Sequence, residues 1–135
     1  MLNQASVLVA EDEPFIALDL ALAIEDAGGE VVGPVASVRE ALVLLEKRPV
    51  MAAILDVDLC DQDISPVVEI LAGLGIQIIV QTGLGLPPDL AARFPDLVVR
   101  VKPSVAADLI AQLAALISDH QAAAPAADGD LGGLA

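Results

Sequence analysis

The sequence predicts an α/β fold built on a five-stranded parallel sheet, and three observations carry that reading. Short apolar runs rich in β-branched residues recur along the chain, and stretches with apolar residues at helical spacing separate them. Four of the runs (7–10, 52–55, 76–80 and 98–101) lead into polar groups: Glu11 and Asp12, Asp56, Thr82, and Lys102. A further run, 30–33, ends without such a group. In a parallel sheet the carboxyl ends of all strands share one edge, where ligands bind, so these polar groups are expected to meet in one small pocket.

Each element has its own signal. After the first strand, Pro14 suits a first helical turn, and Ile16, Leu20 and Ala23 or Ile24 recur at helical spacing before Gly28 and Gly29 end the helix. The second strand runs through Val31 and Val32. Ser37 with Glu40 three residues later is a capping-box pattern for a helix carrying Ala41, Leu44 and Leu45, stopped by Pro49. Beyond the third strand, 56–65 reads as a polar loop, and Pro66 opens a helix with Val67, Ile70 and Leu71 on one face. Past Thr82, a connection rich in Gly and Pro leads to a short fourth helix over 89–94. Ser104 is expected to cap the last helix, whose apolar stripe is Val105, Leu109, Leu113 and Leu116.

Composition narrows the function. The chain has 135 residues, which fits one domain over 1–120 followed by an Ala-, Pro-, Gly- and Asp-rich tail over 121–135, of a composition that stays disordered. Twenty acidic against 6 basic residues give a formal net charge of −14, which repels phosphate backbones and anionic membrane surfaces. Polar residues interrupt every apolar run before it reaches the roughly 20 residues of a membrane span. With no basic and apolar leader and a single cysteine, the expected location is a reducing cytoplasm.

The pocket chemistry follows from its residue types. Clustered carboxylates without histidine or further cysteine form a hard oxygen site suited to Mg²⁺, which relieves the repulsion among Glu11, Asp12 and Asp56. Asp56, at the tip of a central strand, can act as a carboxylate nucleophile toward a phosphoryl donor and form an acyl phosphate. Lys102, a compact cation, and the Thr82 hydroxyl can each reach a phosphoryl oxygen.

Glu11 to Pro14 after the first strand, Ile54 to Asp56, Gln81 to Gly83, and Val101 to Pro103, in this order and spacing, resemble the receiver domain of bacterial two-component response regulators over about residues 5–118. The resemblance implies a flavodoxin-like, doubly wound sheet of order 2-1-3-4-5 flanked by five helices, an order the receiver fold itself exemplifies. It implies that Asp56 is the phosphoacceptor, Thr82 the switch hydroxyl, and Lys102 the lysine before a cis Pro103. The metal ligands would be Glu11, Asp12, Asp56 and the backbone carbonyl of Asp58, with Mg²⁺ as cofactor. The implied partners are a histidine kinase or histidine phosphotransfer protein and a downstream protein, with neither nucleic acid nor membrane involved and a monomer or weak homodimer as the assembly. The role is that of a stand-alone phosphoacceptor, signalling or draining phosphate, and not of a turnover enzyme. Gly83 after Thr82 is similar to a threonine-glycine subgroup of alphaproteobacterial single-domain receivers associated with stress signalling.

The chain departs from that pattern in places. Val99 stands three residues before Lys102, where the family carries Tyr or Phe, and Cys60 stands where proline is common. Val80 and Gln81 replace the Phe-Ala pair of the subgroup. Plainer readings exist for each residue: a helix cap for Asp56, packing for Thr82, a surface charge for Lys102, a solvated first turn for Glu13, a helix-end charge for His120. Cys60 suggests a redox sensor, but neighbouring carboxylates would raise its thiol pKa and suppress reactivity. Two other functions compete with the main one. One is a phosphorylation-independent binding module on the same fold; the other is an aspartyl-phosphate phosphatase, suggested by Asp56 and Asp58 but lacking the later acidic motif. A flavodoxin-like electron carrier would need a hydroxyl-rich phosphate loop and stacking aromatics, which this chain lacks.

Overall fold

The computed structural model describes residues 1–123. Five strands and five helices alternate: β1 (Ser6–Ala10), α1 (Pro14–Asp26), β2 (Glu30–Val35), α2 (Val38–Lys47), β3 (Ala52–Asp56), α3 (Ser65–Gly73), β4 (Gln77–Thr82), α4 (Pro88–Arg93), β5 (Val98–Val101) and α5 (Ala106–Ala123). All strand pairs are parallel, in the order β2-β1-β3-β4-β5, as the sequence predicts. The expected tail begins inside α5, which continues to Ala123, and residues 124–135 lie outside the described residues.

Strand alternation sorts the core into two layers. Leu8, Ala53, Leu55 and Val80 face α2, α3 and α4, where Val38, Ala41, Val67, Val68, Leu71 and Leu90 meet them. Val7, Val9, Ile54 and Ile79 face α1 and α5 against Leu20, Ile24, Leu109, Ile110 and Leu113. β3 is buried at every position, which explains its uninterrupted apolar run.

Some boundaries differ from expectation for identifiable reasons. β2 continues past Gly33 to Val35, with a register shift opposite Leu8 and Ala10. Gly33 adopts φ +104°, where a Cβ would meet the Val35 amide nitrogen at 2.9 Å and the Val9 carbonyl at 3.0 Å, so only glycine lets the strand bend there and go on. The bond from Gly33 to Pro34 is cis, as is that from Lys102 to Pro103. In α3, Val68 takes the buried place expected of Ile70, which is exposed. Val105 precedes α5 and is exposed; the buried stripe is Leu109, Ile110, Leu113 and Ile117. Ser104 does not cap that helix, because its hydroxyl donates backward to the Val101 carbonyl (3.0 Å) while the Val105 carbonyl accepts from the first helical turn. α4 starts one residue early, with Pro88 in its first turn.

Candidate functional site

Three backbone hydrogen bonds between neighbouring strands bring the strand ends together. The Glu11 amide donates to the Val35 carbonyl (2.9 Å), the Val57 amide to Gln81 (2.9 Å), and the Lys102 amide to Thr82 (2.8 Å), so each strand end is registered against its neighbour. Pro14 opens α1, and Glu13 before it is the cap, its carboxylate accepting from the Phe15 amide at 2.9 Å. Glu13 thus has a specific role in starting the helix, one that holds the preceding acidic pair at the strand edge.

The structure gathers Glu11, Asp12, Asp56 and Lys102 at one place, with Lys102 touching Glu11 and Asp56 and with Asp12 beside them. One carboxylate oxygen from each of Glu11, Asp12 and Asp56 lies within 4.8 Å of the others. Both oxygens of Asp56 are engaged: Oδ1 accepts from the Asp58 amide (2.8 Å) and Oδ2 from Lys102 Nζ (3.0 Å). Lys102 Nζ is also 3.2 Å from Glu11 Oε1, an ion pair outside hydrogen-bond geometry, so that oxygen is buried without a hydrogen-bond donor. Its partner Oε2 accepts from the Glu13 amide (3.0 Å).

Electrostatics follow from burial. Glu11 is only 2% exposed, and desolvation, reinforced by the Asp56 carboxylate, pushes its carboxyl up to about 7 against the opposing Glu13 amide and Lys102. Burial pulls Lys102 down, but the hydrogen bond and charges of Asp56 and Glu11 outweigh it and leave its ammonium above the usual lysine range. Three neighbouring acidic groups, two of them paired with Lys102, and an unsatisfied buried oxygen form a set that could hold a hard cation.

Thr82 sits at the adjoining strand end, fully buried, yet its hydroxyl serves its own loop. Oγ1 donates to the Gly85 carbonyl (2.7 Å) and accepts from the amides of Leu84 (3.2 Å) and Gly85 (2.9 Å). The expectation that all five groups point into one pocket therefore holds for four, with the fifth turned toward the loop after β4.

Two contacts and one unpartnered group were not anticipated. Asp61, in the loop after β3, accepts from the first two amides of α2, Val38 (2.9 Å) and Arg39 (3.1 Å), and those bonds hold its carboxyl below the usual range. The Cys60 thiol donates to Asp12 Oδ2 (3.2 Å), a contact that raises the thiol pKa as expected of nearby carboxylates. Gln81 is buried with its side-chain oxygen unpartnered. Asp61 lies 23 residues from the amide it caps, beyond the reach of any local pattern.

A five-stranded parallel sheet of order 2-1-3-4-5 with acidic groups and a lysine at its carboxyl edge defines a receiver domain. No protein-family model and no curated protein matches the sequence, but solved structures do. SdrG from Sphingomonas melonis Fr1 is 34% identical, with 87% of this chain and 98% of that one covered and a TM-score of 0.71. The response regulator PhyR from Brucella abortus is 31% identical over 89% of this chain, which spans 51% of that protein's length, with a TM-score of 0.70. A CheY-like response regulator receiver domain protein from Methanospirillum hungatei JF-1 shares the fold at 21% identity and a TM-score of 0.76, covering 87% of this chain and 96% of that one. The chain belongs to the receiver-domain family of response regulators. Among the described residues, no helix is long and apolar enough to cross a membrane.

Proposed function

We propose that this domain accepts a phosphoryl group on Asp56 from a phosphohistidine on a kinase or phosphotransfer protein and signals through a changed surface. The observation that carries this reading is the Asp56 carboxylate at the tip of the central strand, braced by Lys102 and flanked by Glu11 and Asp12. An Asp56 oxygen attacks phosphorus, the bond from phosphorus to the donor imidazole nitrogen breaks with its electron pair staying on that nitrogen, and the imidazole leaves neutral because its other ring nitrogen already carries a proton. Lys102 Nζ moves from Asp56 Oδ2 to the incoming phosphoryl oxygens, so its charge stays paired throughout. Thr82 gives up its bond to Gly85 and donates to a phosphoryl oxygen. Glu11, Asp12, Asp56 and the Asp58 carbonyl would hold Mg²⁺, and the buried, donorless Oε1 of Glu11 supports that assignment. When bound, the ion supplies charge neutralisation for the phosphoryl oxygens. The reaction alters the domain itself and has no released product beyond the donor, so no turnover is implied.

An apolar stripe beside the cleft supports a helical protein as donor. Phe15, 77% exposed, Leu18 and Leu22 lie at consecutive turns on the outer face of α1, starting two residues after the Glu13 cap.

Intact-mass measurement after incubation with acetyl phosphate tests the proposal. One phosphoryl addition is expected in wild type with Mg²⁺, with none in its absence and none in Asp56→Asn. Undiminished addition in the Asn variant would remove Asp56 from the mechanism.

A further inference from the structure

Two side-chain oxygens hold three consecutive backbone amides of the loop after β4. Asp58 Oδ2 takes the Gly83 amide (3.3 Å), and Thr82 Oγ1 takes those of Leu84 and Gly85. Asp58 comes from the other side of the cleft. Its own amide is bonded to Asp56 Oδ1, and the pairing of Asp56 with Gln81 puts Asp58 and Gly83 each two residues beyond the same level of the sheet. Above Gly83 there is little else: a Cβ built there would meet Asp58 Oδ2 at 3.8 Å and no other atom within 4 Å. The carboxylate therefore ties the loop after Asp56 to the loop after Thr82 beyond the bond from the Val57 amide to Gln81, and it is anionic.

We propose that Asp58 is a positioning residue whose carboxylate latches Gly83 in the unphosphorylated protein and opposes phosphorylation of Asp56. The inference rests on the reading of Asp56 as the phosphoacceptor. A phosphoryl group on Asp56 brings up to two negative charges and strong acceptor oxygens to the neighbourhood of Asp58. Like charges drive the Asp58 carboxylate off Gly83, and the freed amide becomes a donor facing the new anion. The latch and the phosphoryl group thus compete for one backbone hydrogen, and part of the adduct's binding energy goes into breaking the resting contact.

Two substitutions separate the charge from the hydrogen bond. Asp58→Asn keeps an acceptor for Gly83 and removes the charge, whereas Asp58→Ala removes both; neither alters the backbone carbonyl assigned to the metal. Each variant is titrated with beryllium fluoride in the presence of Mg²⁺, and the backbone amide resonances of Gly83, Leu84 and Gly85 are followed before and after addition. Without beryllium fluoride, the Ala variant should show these resonances displaced toward their positions in the wild-type adduct. Its half-saturating concentration should fall on the order of fivefold, with Asn between Ala and wild type. A merely structural role for Asp58 would lower stability without tightening the adduct. If adducts form with equal affinity in all three proteins and the Gly83 resonance of the Ala variant stays in place, the latch is overturned and the Asp56 reading stands. If none of the three forms an adduct, the Asp56 reading fails and this inference with it.

Discussion

The two halves of the carboxyl edge are built on opposite principles. On the β1 and β3 side, Lys102 reaches back 46 residues to Asp56 and pairs with Glu11, so contacts between distant segments fix the charged groups. On the β4 side, Thr82 bonds within three residues of itself, Leu84 is 99% exposed, and the short helix α4 is anchored by Leu90 as its buried side chain. Val99 and Val101, at 36% and 61% exposure, lie on β5 beside it with little cover. The charged half is expensive to rearrange and the hydroxyl half is cheap, which is the division a switch requires: a fixed place for chemistry and a soft place for response.

The largest effect should come from disrupting the charged half. Lys102→Ala leaves two buried carboxylates without their cation and should destabilise the metal-free protein by about 2–3 kcal/mol, a figure discounted for the partly exposed lysine head. Urea unfolding at pH 8, above the raised Glu11 value of the wild type, measures it; a loss below that of Thr82→Ala would invert the contrast between the halves.

Glu11 gives a pH signature of the opposite sign. Because its folded pKa is raised from 4.5 to about 7, the stability it contributes is complete below pH 4.5 and is lost as pH rises through about 7. Asp61 and Asp63 have lowered values, so their contribution is instead lost as pH falls below the range of an ordinary aspartate. Glu11→Gln should flatten the fall above pH 4.5 and make the metal-free protein more stable at pH 8 by about 1–2 kcal/mol after allowance for screening. Thermal melts of both proteins across that window decide the point, and parallel curves would show that burial does not penalise this carboxylate.

Smaller effects are expected on the soft half. Thr82→Ala removes three loop hydrogen bonds and should cost about 1 kcal/mol, with faster amide exchange confined to residues 83–87, while Thr82→Ser retains both. In wild type, a phosphoryl mimic should change amide exchange mainly over residues 82–94, because Val99 offers no ring to move inward. Changes centred on α2 would relocate the responsive surface. Least of all, Asp61→Ala should fray the first turn of α2 and lower the melting temperature less than Lys102→Ala; unaltered exchange at Val38 and Arg39 would show those bonds to be dispensable.

Much of this architecture is legible in the sequence because its signals are local. Strand runs ending in Glu11, Asp56, Thr82 and Lys102 reveal both the sheet and the edge where those residues gather. Helix faces are less legible where neighbouring apolar residues compete: Val68 and Ile70 are both apolar, and only the sheet beneath decides which one is buried. Capping by Ser104 fails because a hydroxyl that can accept from a helix can equally donate to a carbonyl behind it. The contacts of Asp58 with Gly83, Cys60 with Asp12 and Asp61 with α2 join loops from different strand ends, and one-dimensional spacing carries no trace of them. The direction of the Thr82 hydroxyl is equally hidden, since its residue type fits the pocket and the loop alike.

Asp61 has a further consequence, for the order in which the chain acquires its structure. The first three amides of α2 are satisfied by Asp61 at Val38 and Arg39 and by the Ser37 hydroxyl at Glu40, while the Glu40 carboxylate reaches back to the Ala36 amide. Two of those acceptors belong to a residue made long after the helix itself. During vectorial synthesis α2 therefore emerges with an open end and is closed only when β3 and the loop behind it have followed, so the same stretch that presents Asp56 also completes a helix that precedes it in the chain.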